Sequence, residues 1–203
     1  MVFTPYCLRC QPTTRARGFT LIELMVTIAI AAILITLAAP SFKGIIQSNA
    51  ISSNVNMFMA DLRYARSEAV RRGGTVVMCR SDAPEAANPT CGSGSGPGGN
   101  GWVSGWIIFY DENGNGAKAA AEPLLRVQAP VSAVDSIVEG GTGSSTKFRF
   151  TGTGRLLNLN SATSLQFGGG EFANDRQRVL CVSLGGRARI AGDGMASCGA
   201  SNE

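Results

Sequence analysis

A long apolar run near the N-terminus constrains this chain more than any other feature. Residues Phe19–Ala39 read FTLIELMVTIAIAAILITLAA, with Glu23 as the one charged residue. A helix of this length spans about 30 Å, the thickness of the hydrocarbon core of a bilayer. The preceding flank carries Arg9, Arg15 and Arg17 and no acid, and basic residues hold such a flank in the cytoplasm. We therefore expect a single membrane span with the C-terminal part exported.

A secretory signal peptide is the alternative interpretation of this segment. Its apolar part usually has only 7–15 residues, and its cleavage site follows the apolar run. Here the distinctive junction, Gly18–Phe19, precedes the run. Glu23 also needs a reason, because a carboxylate inside a membrane costs about 2.5–3.5 kcal/mol. Either Glu23 reaches the membrane interface from the end of the helix, or it has a specific role.

The segment RGFTLIELMV, Arg17–Val26, resembles the prepilin cleavage motif of type IV pilins and type II secretion pseudopilins. The resemblance implies that residues 1–18 are a leader, and that a prepilin peptidase cuts between Gly18 and Phe19 and methylates the new amine of Phe19. It also implies that Glu23 helps the subunit to enter a filament. Pro40 matches the proline that commonly kinks the pilin helix, since proline removes a backbone hydrogen bond there.

Beyond Pro40 the apolar residues recur at spacings of three and four, which predicts one buried stripe on a continuing helix. Gly73–Gly74 is a typical stop signal. We expect one helix over residues 19–72, with residues 19–39 as membrane anchor and later filament core. The predicted stripe consists of Ile51, Val55, Phe58, Leu62, Ala65 and Ala69.

After residue 73 the sequence changes to short segments rich in β-branched and aromatic residues, separated by Gly, Asn, Ser and Asp. They predict seven or eight strands in a head domain over residues 73–203. The fold class is therefore α+β: a type IV pilin-like long N-terminal helix packed on a β-rich globular head. The segments are TVVMCR, WVSGWIIFY, PLLRVQ, SIVEG, TKFRFT, SLQFG, RVLCVSL and RARIA.

The chain contains no histidine, which excludes Ser–His–Asp and Cys–His catalytic groups and imidazole ligation of zinc. The sequence offers no other nucleophile–base pair, and CGSGSGPGGNG, residues 91–101, lacks the lysine of a phosphate-binding loop. We therefore expect neither an enzyme nor a bound cofactor or metal.

Six cysteines divide between the two sides of the expected membrane. Cys7 and Cys10 lie in the leader, whereas four lie in the exported part. An even number of cysteines in an oxidising compartment indicates disulfides, and four allow three connectivities. We favour the local pairing, which closes two short loops worth about 3 kcal/mol each in the chain-entropy model. The favoured pairs are Cys79–Cys91 and Cys181–Cys198.

The segment Asp111–Glu122, DENGNGAKAAAE, matches the spacing of a calcium-binding loop. It is flanked by apolar strand-like segments instead of the two helices that such loops join. Asp and Asn are also common turn formers. We favour a structural hairpin loop and keep calcium as the alternative.

Basic residues cluster near the C-terminus. Arg187 and Arg189 alternate with Ala188 and Ile190, so on a strand the two guanidinium groups project from one face while the apolar pair faces the core. No acid lies between Arg176 and Arg189. Such a cluster favours phosphate and nucleic-acid binding, although a solvated basic face is the alternative. The candidate residues are Arg187, Arg189, Arg176, Arg178, Lys147 and Arg149.

The whole chain resembles the branch of pilin-like proteins that includes the minor pilin FimT and the type II secretion pseudopilin H. The resemblance rests on the leader helix, FMADLRYARSEAVRRG, GWIIFYDENGNG and the β-rich head. FimT-like pilins carry a Gly-Arg-x-Arg motif that contributes to DNA binding, and residues 186–189 match it. The resemblance implies a minor pilin that captures extracellular DNA during natural transformation, anchored in the bacterial inner membrane with its head in the periplasm and later assembled into an extracellular pilus. Its partners would be DNA, other pilins and a prepilin peptidase.

The alternative function is a secretion pseudopilin or a purely structural minor pilin that primes filament assembly without DNA. Overall charge does not separate the two functions. Loss of the leader removes three arginines and no acid, which lowers the net charge from +4 to +1.

Overall fold

The computed structural model describes residues 18–140, 147–157, 163–194 and 198, apart from the side chains of residues 39–41. The leader, including Cys7 and Cys10, lies outside these residues. The described residues fall into two compact units, one that ends at Phe42 and one that begins at Lys43. In the first unit the apolar side chains are exposed. Helix α1, Leu21–Arg72, is the one described helix long and apolar enough to span a membrane.

The helix continues through Pro40, so the break that proline allows does not occur. Its predicted stripe is buried in the second unit, where every member is at most 2% exposed. Phe58 lies at the centre of this core, with its ring centroid 5.1 Å from that of Trp102 and 5.0 Å from that of Trp106. These edge-on contacts add to the burial of large apolar side chains, each worth about 1.5–3 kcal/mol.

Nine strands are present in the described part of the head, all paired antiparallel. The five-stranded sheet has the order β3-β2-β1-β5-β6 and the four-stranded sheet the order β4-β7-β8-β9. Their inner faces and the second half of α1 enclose one core. The strands are β1 Thr75–Arg80, β2 Trp106–Asp111, β3 Leu124–Gln128, β4 Ser136–Gly140, β5 Lys147–Phe150, β6 Leu156–Leu157, β7 Thr163–Gly168, β8 Arg178–Val182 and β9 Ala188–Gly192.

Two strand predictions differ from the structure. The segment WVSGWIIFY begins with a 3₁₀ turn, Trp102–Ser104, and extends only from Trp106. Gly105 has a φ of 98°, and a Cβ there would lie 2.5 Å from the carbonyl oxygen of Gln128, so the chain turns at a residue that only glycine fits. The two-residue strand β6 has no counterpart among the predicted segments, because two residues show no periodicity.

Both disulfides have the predicted pairing. Cys79 joins Cys91, and Cys181 joins Cys198. The first covers a small cluster on the outer face of the five-stranded sheet, where Val77, Ile107 and Phe109 are buried. The second ties the C-terminal segment to β8, next to the β8–β9 hairpin. Each disulfide therefore ties a loop or terminal segment to a strand of one of the two sheets.

Candidate functional site

The N-terminus of α1 contains a capping interaction that the sequence analysis missed. The backbone N–H of Glu23 donates to Oγ1 of Thr20 at 3.3 Å. Thr20 and Glu23 have the spacing of a capping box, which satisfies the free N–H groups at a helix start. A carboxylate in the first turn is also favoured by the helix dipole. The observed cap uses the Thr20 hydroxyl and the backbone of Glu23, while the position of the Glu23 carboxylate in the first turn suits the helix dipole.

The Asp111–Glu122 loop pairs several of its own polar groups, whereas Oε1 of Glu122 is buried with no hydrogen-bond partner among the described residues. The carboxylate of Asp111 accepts the N–H groups of Asn115 and Gly116 at 3.1 and 2.9 Å. Oδ1 of Asn115 accepts the N–H of Ala117, and Oε2 of Glu122 accepts that of Ala119. No group of three or more acidic or cysteine side chains suited to a metal occurs in the described residues. These bonds favour the hairpin loop.

Lys147 and Arg149 contact this same loop from β5. Nζ of Lys147 donates to the carbonyl oxygen of Gly116 at 3.0 Å, and Nη2 of Arg149 donates to that of Gly114 at 2.6 Å. Nη2 of Arg149 also lies 3.5 Å from Oδ2 of Asp111, whose side chain is fully buried. Both basic side chains therefore bond the backbone of the loop, and Arg149 also lies beside the Asp111 carboxylate that a calcium ion would need.

Arg176 and Arg178 lie at one end of β8, away from the Gly-Arg-x-Arg segment. Nη1 of Arg176 donates to Oε1 of Gln47 on α1 at 2.8 Å. Nη1 of Arg178 donates to the carbonyl oxygens of Asp175 and Gln177 at 2.8 Å each. Five residues of β8, about 17 Å of strand, separate this end from the β8–β9 hairpin. The structure therefore does not bring the six predicted basic residues onto one surface.

Arg187 lies in the β8–β9 hairpin and is exposed. The N–H of Ser183 donates to the carbonyl oxygen of Arg187 at 2.9 Å, which closes the turn before β9 begins. Arg189 pairs with Cys181 across the ladder and is half-buried. Ala188 packs against the core. Ile190 pairs with the buried Leu180 and so lies on the expected face of the sheet, but it is 44% exposed and is not buried in the core. β9 is the edge strand, and the core does not extend beneath that position.

Two arginines that the sequence analysis did not select share a cleft with Arg187. Arg66 comes from α1 and Arg155 from the turn after β5, and the cleft has a volume of about 390 Å³. Ser183, Leu184 and Gly185 complete its lining, so no acid lines it among the described residues. We name these residues the arginine cleft. The sequence offered only weak signals for these two residues. Arg66 lies off the predicted buried stripe of the helix, and Arg155 follows a Thr-Gly-Thr-Gly segment typical of a turn. Neither feature is unusual alone.

Three arginines outside the cleft, Arg71, Arg72 and Arg126, contact acids. Glu68 accepts bonds from Arg71 at 2.6 Å and from Arg72 at 2.9 Å, which lowers the pKa of the Glu68 carboxyl from 4.5 to about 2. Nη1 of Arg126 lies 2.5 Å from Oδ1 of Asp61. Arginines are common in the head, so their presence alone does not mark a site. The arginine cleft differs from the sites of these three arginines because no acid lies among its described lining residues.

The chain matches two family models, one over the N-terminal segment and one over most of the head. Residues 54–186 match the family model described as type II transport protein GspH, and residues 13–39 match the prokaryotic N-terminal methylation motif. The chain belongs to the GspH family. The GspH match covers more than half of the chain and ends at Gly186, so Arg187 and Arg189 lie just beyond it. No protein of curated function matches the sequence.

Among solved structures, the GspH-family head is similar to the type IV minor pilin FimU of Pseudomonas aeruginosa. The TM-score is 0.53 at 20% identity, and the match covers 73% of this chain and 95% of that one. A second crystal form of FimU gives 0.47 at 19% identity, covering 71% and 98%. The first likeness shows the fold and confirms the predicted α+β, pilin-like class. With the methylation motif and the apolar helix, the protein is a pilin-like member of the minor pilin and pseudopilin group.

Proposed function

We propose that this GspH-family protein is a minor pilin of a type IV pilus that binds extracellular DNA, without sequence specificity, for uptake in natural transformation. The single observation that supports DNA binding is the exposed Arg187 in a cleft with no acid in its described lining. Arg189 adds a second cation two residues along the same chain segment. Guanidinium groups match phosphate oxygens in geometry and charge, and phosphate contacts carry no base information.

The proposal no longer includes four of the basic residues suggested by the sequence. Lys147, Arg149, Arg176 and Arg178 all donate to protein oxygens. A phosphate would have to replace those bonds, and breaking a bond to a charged group costs about 1.5–3 kcal/mol. We therefore assign DNA contact first to Arg187, which is exposed in the cleft, and keep Arg189 because it lies two residues further along the Gly-Arg-x-Arg segment.

The N-terminal segment supports the assembly part of the proposal. We expect cleavage between Gly18 and Phe19, methylation of the Phe19 amine, and participation of Glu23 in entry into the filament alongside other pilins. Before assembly the protein would span the inner membrane once with its head in the periplasm, and afterwards it would lie in the extracellular pilus. Mass spectrometry of the purified protein tests the processing: a chain beginning with N-methylated Phe19 is expected, and an intact leader would contradict it.

DNA binding is tested with the full chain in neutral detergent micelles. Arg187→Gln combined with Arg189→Gln should weaken the affinity for a duplex of arbitrary sequence about tenfold at low salt, since two phosphate contacts are lost. A mobility-shift titration measures the affinity, and the thermal unfolding midpoint confirms that the fold is intact. Equal affinity of the variant and the parent would remove this mechanism.

The family description favours one second candidate. A protein of the type II transport family can be a secretion pseudopilin, or a structural pilin, that primes filament assembly without touching DNA. In that case the parent itself binds no duplex at low salt, and the neighbouring genes encode a secretion pathway. Pilus genes beside this one would favour the first candidate.

A further inference from the structure

We infer that Arg66 of α1 and Arg155 of the turn after β5 bind the nucleic-acid phosphate backbone together with Arg187. The DNA-binding surface then extends from the β8–β9 hairpin onto the helix. This inference rests on the proposed function, because it enlarges the same surface. It assigns two residues that the Gly-Arg-x-Arg pattern does not contain and that lie far from it in sequence.

Two glycines bring the three arginines together. Gly154 has a φ of 77°, and a Cβ at this position would lie 2.9 Å from Nε of Arg66. The side chain of Arg66 therefore lies directly on the turn that carries Arg155. Gly186 has a φ of 74°, and its Cβ would lie 2.5 Å from the carbonyl oxygen of Gly154. The glycine of the Gly-Arg-x-Arg segment is thus required by the close approach of the hairpin to the same turn.

The backbone of the turn is fixed by its own hydrogen bonds. The N–H of Thr151 donates to the carbonyl oxygen of Arg155, and the N–H of Gly154 donates to that of Thr151, both at 2.8 Å. The N–H of Leu156 donates to the carbonyl oxygen of Leu184 in the hairpin at 3.1 Å. Helix, turn and hairpin therefore hold the cleft in one arrangement before any ligand arrives. A preformed site reduces the ordering cost of binding.

The described lining of the cleft contains three positive charges and no negative one. Three guanidinium groups share one lining, which contains no carboxylate among the described residues. Arg155 and Arg187 are exposed and Arg66 is half-buried. Like charges in one concave site repel each other, and they focus a positive potential that attracts a polyanion. By contrast, the helix residues Arg71 and Arg72, one to two turns from Arg66, are both bonded to Glu68.

The chemistry of the lining selects a chain of phosphates over a single small acid. Three separate guanidinium groups, supplied by three elements, each offer a two-pronged donor to an anionic oxygen. Ser183 adds a hydroxyl and the hairpin adds backbone groups, which are typical contacts to phosphate oxygens. The cleft is open and offers no aromatic surface for a base in its lining. The backbone of a duplex therefore fits better than an unstacked base.

The test measures duplex affinity of the full chain in neutral detergent by fluorescence anisotropy over a salt series. Arg66→Gln combined with Arg155→Gln is expected to weaken binding about tenfold. The slope of log K against log salt should fall by about 1.8, since each lost phosphate contact removes about 0.9. Arg66→Lys combined with Arg155→Lys keeps both charges and should retain most of the affinity. The matched control, Lys43→Gln combined with Lys118→Gln, removes two charges outside the cleft and should bind within twofold of the parent.

The outcomes separate this inference from the proposed function. If Arg187→Gln with Arg189→Gln weakens binding but the Arg66 and Arg155 variant binds like the parent, the inference is overturned and the proposed function stands. If the control weakens binding as much as the cleft variant, net charge explains the effect and the inference is overturned. If the parent does not bind the duplex, both fail. Thermal unfolding of each variant shows whether it is folded. If the glutamine pair does not fold, the single variant Arg155→Gln gives the same test, with an expected fall of about 0.9 in the slope, and an unchanged slope overturns the inference.

Discussion

At the Asp111–Glu122 loop, Lys147 and Arg149 contact carbonyl and carboxylate oxygens of the protein. At the arginine cleft, Arg66, Arg155 and Arg187 line an open surface with no acid among the described lining residues. Both regions lie on the same head and both are basic in sequence. In the first region the cations stabilise a loop, whereas in the second they are available to an external anion. The difference lies in the partners, which come from distant parts of the chain.

The largest effect is expected at Gly186, which holds the hairpin against the Gly154 turn. Gly186→Ala places a Cβ 2.5 Å from a backbone oxygen at a φ of 74°, so it should cost about 3–4 kcal/mol of unfolding free energy. Denaturant unfolding followed by tryptophan fluorescence measures the loss. Gly185→Ala is the control, because its Cβ would meet only Oγ of Ser183 at 3.8 Å. Equal stability of the two variants would contradict the close packing that forms the cleft.

Arg149 separates a structural arginine from a binding arginine. Arg149→Gln loses the contact with Asp111 and the bond to Gly114, so it should lower the unfolding free energy by about 2 kcal/mol. Arg155→Gln removes an exposed side chain and should change it by less than about 0.5 kcal/mol. The same denaturant titration measures both variants. A larger loss for Arg155→Gln than for Arg149→Gln would reverse the comparison.

Glu68 offers a smaller effect that depends on pH. Its hydrogen bonds with Arg71 and then Arg72 lower its folded-state pKa to about 2, against 4.5 without them. The carboxylate therefore contributes stability above about pH 4.5, and this contribution is lost as the pH falls towards 2. Because Arg71 is largely exposed, we expect about 1 kcal/mol or less. Unfolding at pH 7 and pH 3 should differ less for Glu68→Gln than for the parent, and an identical difference would contradict the pairing.

Added calcium is expected to have no effect on the stability of the head. Both carboxylate oxygens of Asp111 and Oε2 of Glu122 already accept protein hydrogen bonds, and Arg149 lies beside the Asp111 carboxylate. Added calcium at millimolar concentration should leave the unfolding midpoint of the head unchanged. A rise in the midpoint that disappears in Asp111→Asn would show that the loop binds the ion after all.

Local patterns predicted much of the fold because the forces behind them are local. The spacing of Ile51, Val55 and Phe58 predicted which face of α1 is buried, and the segment TKFRFT was predicted as the strand that the structure shows as β5. The disulfide pairing followed from the short loops. The 3₁₀ turn at Trp102 was missed because its aromatic and β-branched residues are typical of strands. The exposure of Ile190 was missed because edge position is a property of the whole sheet.

The candidate site was predicted only in part, for the same reason. Closeness in sequence placed Arg176 and Arg178 with Arg187, but β8 separates them along its length. The acid that neutralises Arg149 is Asp111, which precedes it by three strands in chain order. Arg66 and Arg155 joined Arg187 only through the packing of Gly154 and Gly186. No periodic pattern contains information about such contacts.

The most direct test of the central claim compares two single substitutions in one DNA-binding experiment. The salt dependence of duplex affinity is measured for the full chain, for Arg187→Gln and for Arg149→Gln, each of which removes one positive charge. We predict that Arg187→Gln lowers the slope of log K against log salt by about 0.9, whereas Arg149→Gln leaves the slope and the affinity of the folded protein unchanged. An equal fall for both variants would contradict the claim that partner acids decide which arginines bind DNA.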